Sequence, residues 1–437
     1  SPFKSQGQAL EIAKFYTYLG VDITPSGSFS RAIKQLRLKA LRASFRLKSL
    51  LSSNSNPSIS LAIDLFNSLV KPILLYCSEL TGINIQCRDL IFKGIKEYPN
   101  EKIRTSIDTI LSPILGSDVG LLRVSRLGKI SDPTSTVTRP VVVRFKKYSD
   151  KLNVIYQSDT LLRNQNVTLD QPKISYEIPD LEYVLLNFCK IILRVPKSSI
   201  NAAVRGELGV FPLFIDSQTQ LIKYWLRLKN SPNDRIVKKA YDTSVEEEHD
   251  WATHVQDILC RHGFQNVWLN PAVNANYFGI IFKERLKDSF LSGWREQLRH
   301  SSKLHAYSKI KKHFGMETYL TSIHNKLFAN SITKLRISAH CLEVEKGRHH
   351  NTPATQRLCP TCNGSVEDEF HFVMNCPTYS KERDMLLQTI TTKTNFTLSG
   401  TQSDIFYVLL SCPTPISMYI GQFLHKSFEK RDRITHT

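Results

Sequence analysis

The chain has 437 residues, 41% hydrophobic and 22% charged, which excludes a disordered chain and leaves material for two to four globular domains. With 58 Lys and Arg against 39 Asp and Glu, the net charge is +19, so the surface is built to meet a polyanion, nucleic acid or an anionic membrane. No apolar run approaches the length of a membrane span and no signal peptide is visible. The nine Cys are an odd number, so we expect free thiols in a nuclear or cytoplasmic setting and no membrane partner.

The chain opens Ser1-Pro2 without Met, which reads as a fragment or a processed piece. Residues 15–23 alternate large apolar with small or polar residues and read as a strand entering the turn Pro25-Ser26-Gly27. From there Phe29, Ile33, Leu36, Ala40, Ala43, Leu47 and Leu50 recur at steps of three and four, one face of a long helix. The other faces carry Arg31, Lys34, Arg37, Lys39, Arg42, Arg46 and Lys48 with no acidic residue between them. Cations without counter-charges repel one another unless a polyanion neutralises them, so phosphate contact is favoured over a merely solvated face. A second helix follows Asn56-Pro57 through Ile59, Ile63, Phe66, Leu69, Val70, Ile73 and Leu74, and Pro72 kinks or ends it.

The run FYTYLGVDITPSGSFSRAIKQLRLKALRA, followed by LAIDLFNSLVKPILLYCSEL, resembles the segment just after the palm of reverse transcriptases from LINE-type, non-LTR retrotransposons. That resemblance covers roughly residues 15–82. It implies a helical thumb over residues 1–82 that holds a template–primer duplex.

Residues 85–171 change pattern. Strands are expected at 88–95, 120–126, 140–145 and 167–169, with helices at 100–114 and from Ser149 or Asp150 to Leu162. The order β-α-β-β-α-β is that of a ferredoxin-like or RNA-recognition (RRM-like) fold. Arg123, Arg126, Lys129, Arg139, Arg144, Lys146 and Lys147 crowd what reads as two inner strands and the loop between them. The stretch resembles the RNA-recognition-like domain of the RNA-binding protein from the first open reading frame of LINE elements. It places valines where stacking aromatics are usual, so phosphate contacts would carry RNA binding. The bland alternative is a basic-edged spacer. LINE proteins do not ordinarily carry this block after the thumb, so the chain reads as a mosaic, either a rearranged element or a gene model joining two fragments.

Residues 173–347 read as a helical connecting region. The stretch RGELGVFPL with IKYW again resembles LINE reverse transcriptases, between thumb and zinc segment. Trp251, Trp268 and Trp294 read as core residues. Residues 283–312 read as helical and, with Arg285, Lys287, Arg295, Arg299, Lys303, Lys309, Lys311 and Lys312, form a second candidate nucleic-acid face.

Near the C-terminus, Cys359, Cys362, His371 and Cys376 follow C-x2-C-x8-H-x4-C. A C-x-x-C turn places two thiolates on one side of a cation, and an imidazole and a third thiolate can close a tetrahedron. Three sulfurs and one nitrogen suit Zn²⁺ and leave no open position for a catalytic water. The competing readings are a chance cluster and a redox C-x-x-C, for which no βαβ setting is present. The segment, with acidic residues before His371-Phe372, also resembles the C-terminal zinc segment of LINE reverse transcriptases. Glu367, Asp368 and Glu369 read as acceptors for the His371 ring or as solvated. His340, His349 and His350 read as surface residues or alternative ligands. Arg348, Arg357, Lys381 and Arg383 surround the module and could meet phosphate. Helices with a basic tail (Lys426, Lys430, Arg431, Arg433) complete residues 386–437.

The expected fold is therefore mostly α with an α+β insert, with a CCHC zinc module at 348–385. No Asp-Asp pair of the kind a polymerase palm uses to hold Mg²⁺ is present, nor an endonuclease constellation or P-loop. The favoured reading is a non-catalytic, nucleic-acid-binding piece of a retrotransposon reverse transcriptase, with RNA or template–primer duplex as partner. The alternatives are part of an active reverse transcriptase with its palm upstream, and a structural zinc protein that contacts protein partners through the zinc module.

Overall fold

The structure is a computed structural model. It describes residues 4–5, 8–9, 16–18, 21–23, 30–53, 58–76, 78, 89–96, 102–116, 120–126, 138–145, 150, 154, 167–170, 179–246 and 250–435. It is mostly helical with a small antiparallel sheet, and it divides into two compact units, neither continuous in sequence. No described helix is long and apolar enough to cross a membrane.

One unit comprises residues 1–76, 180–213 and 286–437. Residues 15–23 are not one strand. β1 (Tyr16–Tyr18) pairs antiparallel with β2 (Val21–Ile23), so the two are arms of a hairpin; Phe29 and the turn at Pro25 lie outside the described residues. The long helix is α1 (Ser30–Ser53). Ala32, Leu36, Ala40, Ser44 and Leu47 are buried at steps of four and three, while Leu50 lies outside the stripe at 58% exposed. Ser58 caps α2 (Ile59–Leu69) by accepting from the Leu61 N–H, and Pro72 sits in the first turn of a separate short helix, Lys71–Leu74. The proline therefore ends α2 rather than bending it.

The same unit is cross-braced by buried charge. α4 (Pro179–Ile192), α5 (Asn201–Leu208) and α10 (Lys326–Arg336) contribute Glu182, Glu207 and the Arg residues that neutralise them. Arg205 pairs with Glu182, whose second oxygen accepts from the Leu213 N–H at 3.0 Å. Arg336, on α10, meets Glu207 and Glu317 at 3.0 Å each and donates to the Leu410 carbonyl at 2.7 Å. The Tyr319 hydroxyl donates to Glu207, and burial pushes its pKa well up, so it stays a donor. Between α5 and the next helix the chain turns at Gly209, with φ +65°. A Cβ there would stand 2.7 Å from the Met316 nitrogen, so only glycine admits this close pairing of two backbones.

The second unit comprises residues 77–179 and 214–285. Its sheet contains β3 (Asp89–Lys93), β4 (Leu121–Arg126), β5 (Val141–Phe145) and β6 (Thr168–Asp170), in the order β4-β5-β3-β6 with every pair antiparallel. α3 (Ile103–Leu115) covers one face. Leu90, Phe92, Ile107, Leu111, Val141, Val143 and Phe145 form the core between them. The inner strands are thus β5 and β3; β4, carrying Arg123 and Arg126, is an edge, which corrects the expected placement of those two residues. The expected helix over 150–162 falls largely outside the described residues. Beyond the sheet, α6 (Leu213–Lys229), α7 (Ile236–Glu246), α8 (Asp250–Arg261) and the first part of α9 (Ala275–His300) bury Trp225, with Trp268 stacked on it at 5.3 Å. Trp294, in the other unit, donates to the Ala202 carbonyl at 2.9 Å, so it and Trp225 are core residues. The expected continuous basic helix to residue 312 ends instead at His300, at the end of α9.

Two stability measurements follow from buried charge. Glu207→Gln removes the fully buried one of the two carboxylates that meet Arg336, leaving Glu317, and should lower the unfolding free energy by about 1–3 kcal/mol. Denaturant titration measures this, and a change below about 1 kcal/mol would contradict the bracing role. His254 is fully buried, which holds its pKa down at about 4. The unfolded chain then takes up a proton first as pH falls, so stability is highest above pH ~6.5, declines to about pH 4 and flattens below, by roughly 3 kcal/mol in all. His254→Gln should flatten that window.

Candidate metal centre and basic faces

The ligands arrive from two local devices. The first is a narrow hairpin. Leu358 bridges Val366, the Cys359 N–H donates to the Ser365 carbonyl at 2.8 Å, and Asn363 turns the chain with φ +52° while its N–H reaches the Cys359 carbonyl. The loop Cys359-Pro-Thr-Cys362 is thereby folded with both sulfurs on one side. The second device is a single π turn, His371–Asn375, in which the Cys376 N–H donates to the His371 carbonyl at 2.8 Å. The wider turn separates His371 from Cys376 by one more residue than an α turn would and still brings both to the hairpin. Asp368 caps it, accepting from the His371 N–H at 2.7 Å. Arg383 holds the other end by donating to the carbonyls of Val373 and Cys376.

One ligand atom from each of Cys359, Cys362, His371 and Cys376 lies within 4.8 Å of all the others, and this group could hold a metal ion. The two edges given by direct contacts are Cys359 Sγ to Cys376 Sγ at 3.9 Å and Cys362 Sγ to His371 Nε2 at 3.4 Å. A tetrahedral ion with S at ~2.3 Å and N at ~2.0 Å requires edges of roughly 3.8 and 3.5 Å. The donor set and spacing therefore fit such an ion, with Nε2 as the imidazole ligand. Burial holds the His371 imidazole in its neutral, lone-pair form by lowering its pKa. Burial also pushes the Cys359 thiol up, to about 12, so a cation beside it is what would keep that sulfur a thiolate.

The acidic residues before His371 have other duties than those expected. Glu367 is fully buried and receives two bonds from Arg431, at 2.7 and 2.6 Å, and one from the Glu343 N–H. It stands 3.8 Å from Cys359 Sγ. Glu369 bonds the His340 ring at 3.0 Å and the Ser338 hydroxyl. His340 is thus a buried structural side chain, neither surface nor ligand, while His349 and His350 are exposed. Phe372 stacks on Phe428 at 4.8 Å and fastens the π turn to α14 (Ser417–Thr435). The expected basic tail is part of that helix: Arg431 is buried against Glu367, and Lys430 pairs with Glu382.

Most cations around the module are also engaged. Arg348 pairs with Glu345, Arg357 donates to the carbonyls of Thr352 and Val344, and Arg383 serves the π turn, so only Lys381 of that group faces solvent without a partner among the described residues. On α1, Arg31 pairs with Asp22 and Arg37 with Asp180, each at 2.6 Å, and Arg37 lies over the Tyr183 ring. Lys34, Arg42 and Arg46 are exposed and have no ion-pair partner among the described residues. Phe45, 61% exposed, lies between the latter two, a residue that the sequence reading passed over. Its signal was present, since position 45 falls outside the buried stripe of an otherwise basic surface.

In the sheet, Arg126 donates to the carbonyls of Ile95, Lys96 and Arg139, which makes it a brace of the strand ends. Arg123 is exposed and directly opposite Arg144 across β4 and β5. Arg139 is half-buried, and Lys129, Lys146 and Lys147 lie outside the described residues. In the second candidate face, Lys311 is buried against Glu317, Lys303 pairs with Glu345, and Lys309 meets the Tyr407 hydroxyl at 3.0 Å. Arg285, Arg295 and Arg299 remain exposed along α9.

No family model matches the chain, and no solved structure matches it. Among curated proteins it is similar to the heat shock protein 70 homolog of Acanthamoeba polyphaga mimivirus, 22% identical over 254 residues. The similar region is 51% of this chain and 26% of that protein, so the chain spans about a quarter of that relative's length.

If the four residues share one ion, Cys362→Ser should lose about one equivalent of bound metal per chain, and chelator should lower the melting temperature of the parent but not of the variant. Elemental analysis with thermal melts reads both. Unchanged metal content in Cys362→Ser would sink the assignment.

Proposed function

We propose that the chain is a non-catalytic, nucleic-acid-binding part of a LINE-type reverse transcriptase, with Zn²⁺ as the ion of the Cys-Cys-His-Cys centre. The observation that carries this reading is the pairing of a closed three-sulfur, one-nitrogen centre with an unneutralised basic helix face. Such a centre has no open position for chemistry, so the metal would hold structure, and function would lie in the surfaces it organises. Sequence resemblance supports the family assignment: YLGV before α1, KPILLY-SE after α2, RGELGVFPL at α5 and the zinc spacing.

In this reading α1 is the thumb helix, meeting duplex through Lys34, Arg42 and Arg46, with Phe45 offering an apolar contact between them. Arg31 and Arg37 position the helix through Asp22 and Asp180 rather than meeting phosphate. The sheet of the second unit is the RNA-binding insert. Its antiparallel order, second strand–third–first–fourth, supports a ferredoxin-like assignment. Its cationic pair Arg123 and Arg144, rather than aromatic residues, would meet the strand through phosphate. The mimivirus relative carries no argument about activity at 22% identity over half of the chain.

Binding of the full chain to single-stranded RNA and to a primer–template duplex, measured across a salt series, tests the reading. A logarithmic salt slope corresponding to roughly five or more phosphate contacts is expected. Arg42→Glu should weaken duplex binding and reduce the slope by at least about one contact, whereas Phe45→Ala should weaken binding with the slope unchanged. A shallow slope, or variants indistinguishable from the parent, would overturn the proposal.

A further inference from the structure

Within the first unit, the end of α4, the end of α1, the start of α2 and the start of α10 enclose a cavity of about 570 Å³. That is the size of a small-molecule site rather than of a packing defect. Its floor is apolar, made by residues such as Ile59, Leu320 and Ile323, while its rim carries Lys190, Arg194 and Lys326. No Asp or Glu is among the described residues that line it. Elsewhere in this unit cations beside buried helix ends are met by carboxylates, as Arg205 is by Glu182 and Arg336 by Glu207.

The geometry of Arg194 is the second observation. α4 ends in a paired closure, the Val195 N–H donating to the Lys190 carbonyl and the Arg194 N–H to the Ile191 carbonyl. In this closure the residue in the left-handed region is usually glycine. Here it is Arg194, with φ +54°. The Asn330 amide fixes the turn from the facing helix, donating to the carbonyls of Leu193 and Arg194 at 3.0 Å each. A cationic side chain thus stands at a backbone position that disfavours it, and a neighbouring helix fixes that position at the cavity rim. The Lys190 ammonium donates to the Lys197 carbonyl, which bonds it without neutralising it. Burial lowers the pKa of Lys190 and, with Arg194 beside it, that of Lys326, so the rim favours an anion.

We propose that this cavity binds a phosphate monoester attached to a nucleoside, with the phosphate between Lys190, Arg194 and Lys326 and the base on the apolar floor. Several cations without a carboxylate suit a group carrying about −1.5 to −2 charges better than a singly charged diester. The ligand would be the phosphorylated end of a nucleic-acid strand or a free nucleotide. Only the first source rests on the nucleic-acid reading above; the chemistry of the site does not.

The test is a titration of the full chain with three probes: a short RNA carrying a 5′-phosphate, the same RNA without it, and adenosine monophosphate. Arg194→Gly is the informative variant, because glycine suits the turn and should leave the melting temperature equal or higher. The terminal phosphate should tighten RNA binding at least tenfold, and Arg194→Gly and Lys326→Glu should each abolish that gain while leaving binding of the unphosphorylated RNA unchanged. Equal affinity for both RNAs together with no binding of the nucleotide would overturn the site, as would an Arg194→Gly chain that keeps the full gain. Binding of the nucleotide but of neither RNA would uphold the site, with the free nucleotide as its ligand, and would contradict the nucleic-acid reading instead.

Discussion

Glu367 is the group on which the metal centre depends. It is a fully buried carboxylate, and such a charge is tolerated only when a cation and further donors meet it. Arg431 supplies the cation from α14, nearly at the end of the chain, and the Glu343 N–H supplies another donor. The same residue begins the stretch that leads through Asp368 to the π turn and His371. One buried ion pair therefore sets the position of the hairpin, the imidazole and the last helix at once. A divalent ion among three thiolates would leave one net negative charge there, so the electrostatics of the site and its brace are one problem rather than two.

The net charge of +19 does not say which cations make up the outward surplus. Arg205, Arg336, Arg357, Arg383 and Arg431 are internal parts, each satisfying a carboxylate or backbone carbonyls. Arg31 and Arg37 orient α1 rather than extend its basic face. Among the described cations left exposed are Lys34, Arg42 and Arg46 on α1, Arg123 on the sheet edge, Arg285, Arg295 and Arg299 along α9, and Arg194 at the cavity rim. Arginine predominates in the internal roles because its planar fork can bond several acceptors at once.

The metal site was legible from sequence because its determinants are local: four ligands within 18 positions, with turn residues at fixed offsets. The succession of strands and helices in the second unit was legible for a similar reason, since alternation marks each strand, but their lateral order was not: the strand with Arg123 and Arg126 was read as an inner one and is an edge. The partners of individual cations were not. Asp180 lies 143 positions from Arg37, and Glu367 lies 64 from Arg431, so no window over the sequence could pair them. The antiparallel pair Tyr16–Tyr18 and Val21–Ile23 was read as one strand because alternation in the sequence continues unbroken from one into the other. The role of Glu369 was hidden by its neighbours: three consecutive acidic residues look alike in sequence, yet each faces a different partner. The exposed Phe45 was overlooked because the buried stripe drew the eye to the opposite side of the helix.

The most direct test of the central claim is X-ray absorption at the zinc edge on the 437-residue chain. The account predicts a single shell of three sulfurs at about 2.3 Å and one nitrogen at about 2.0–2.1 Å, with no oxygen ligand. An ion bound mainly by oxygen and nitrogen, or a chain that folds and melts identically with no metal present, would contradict it.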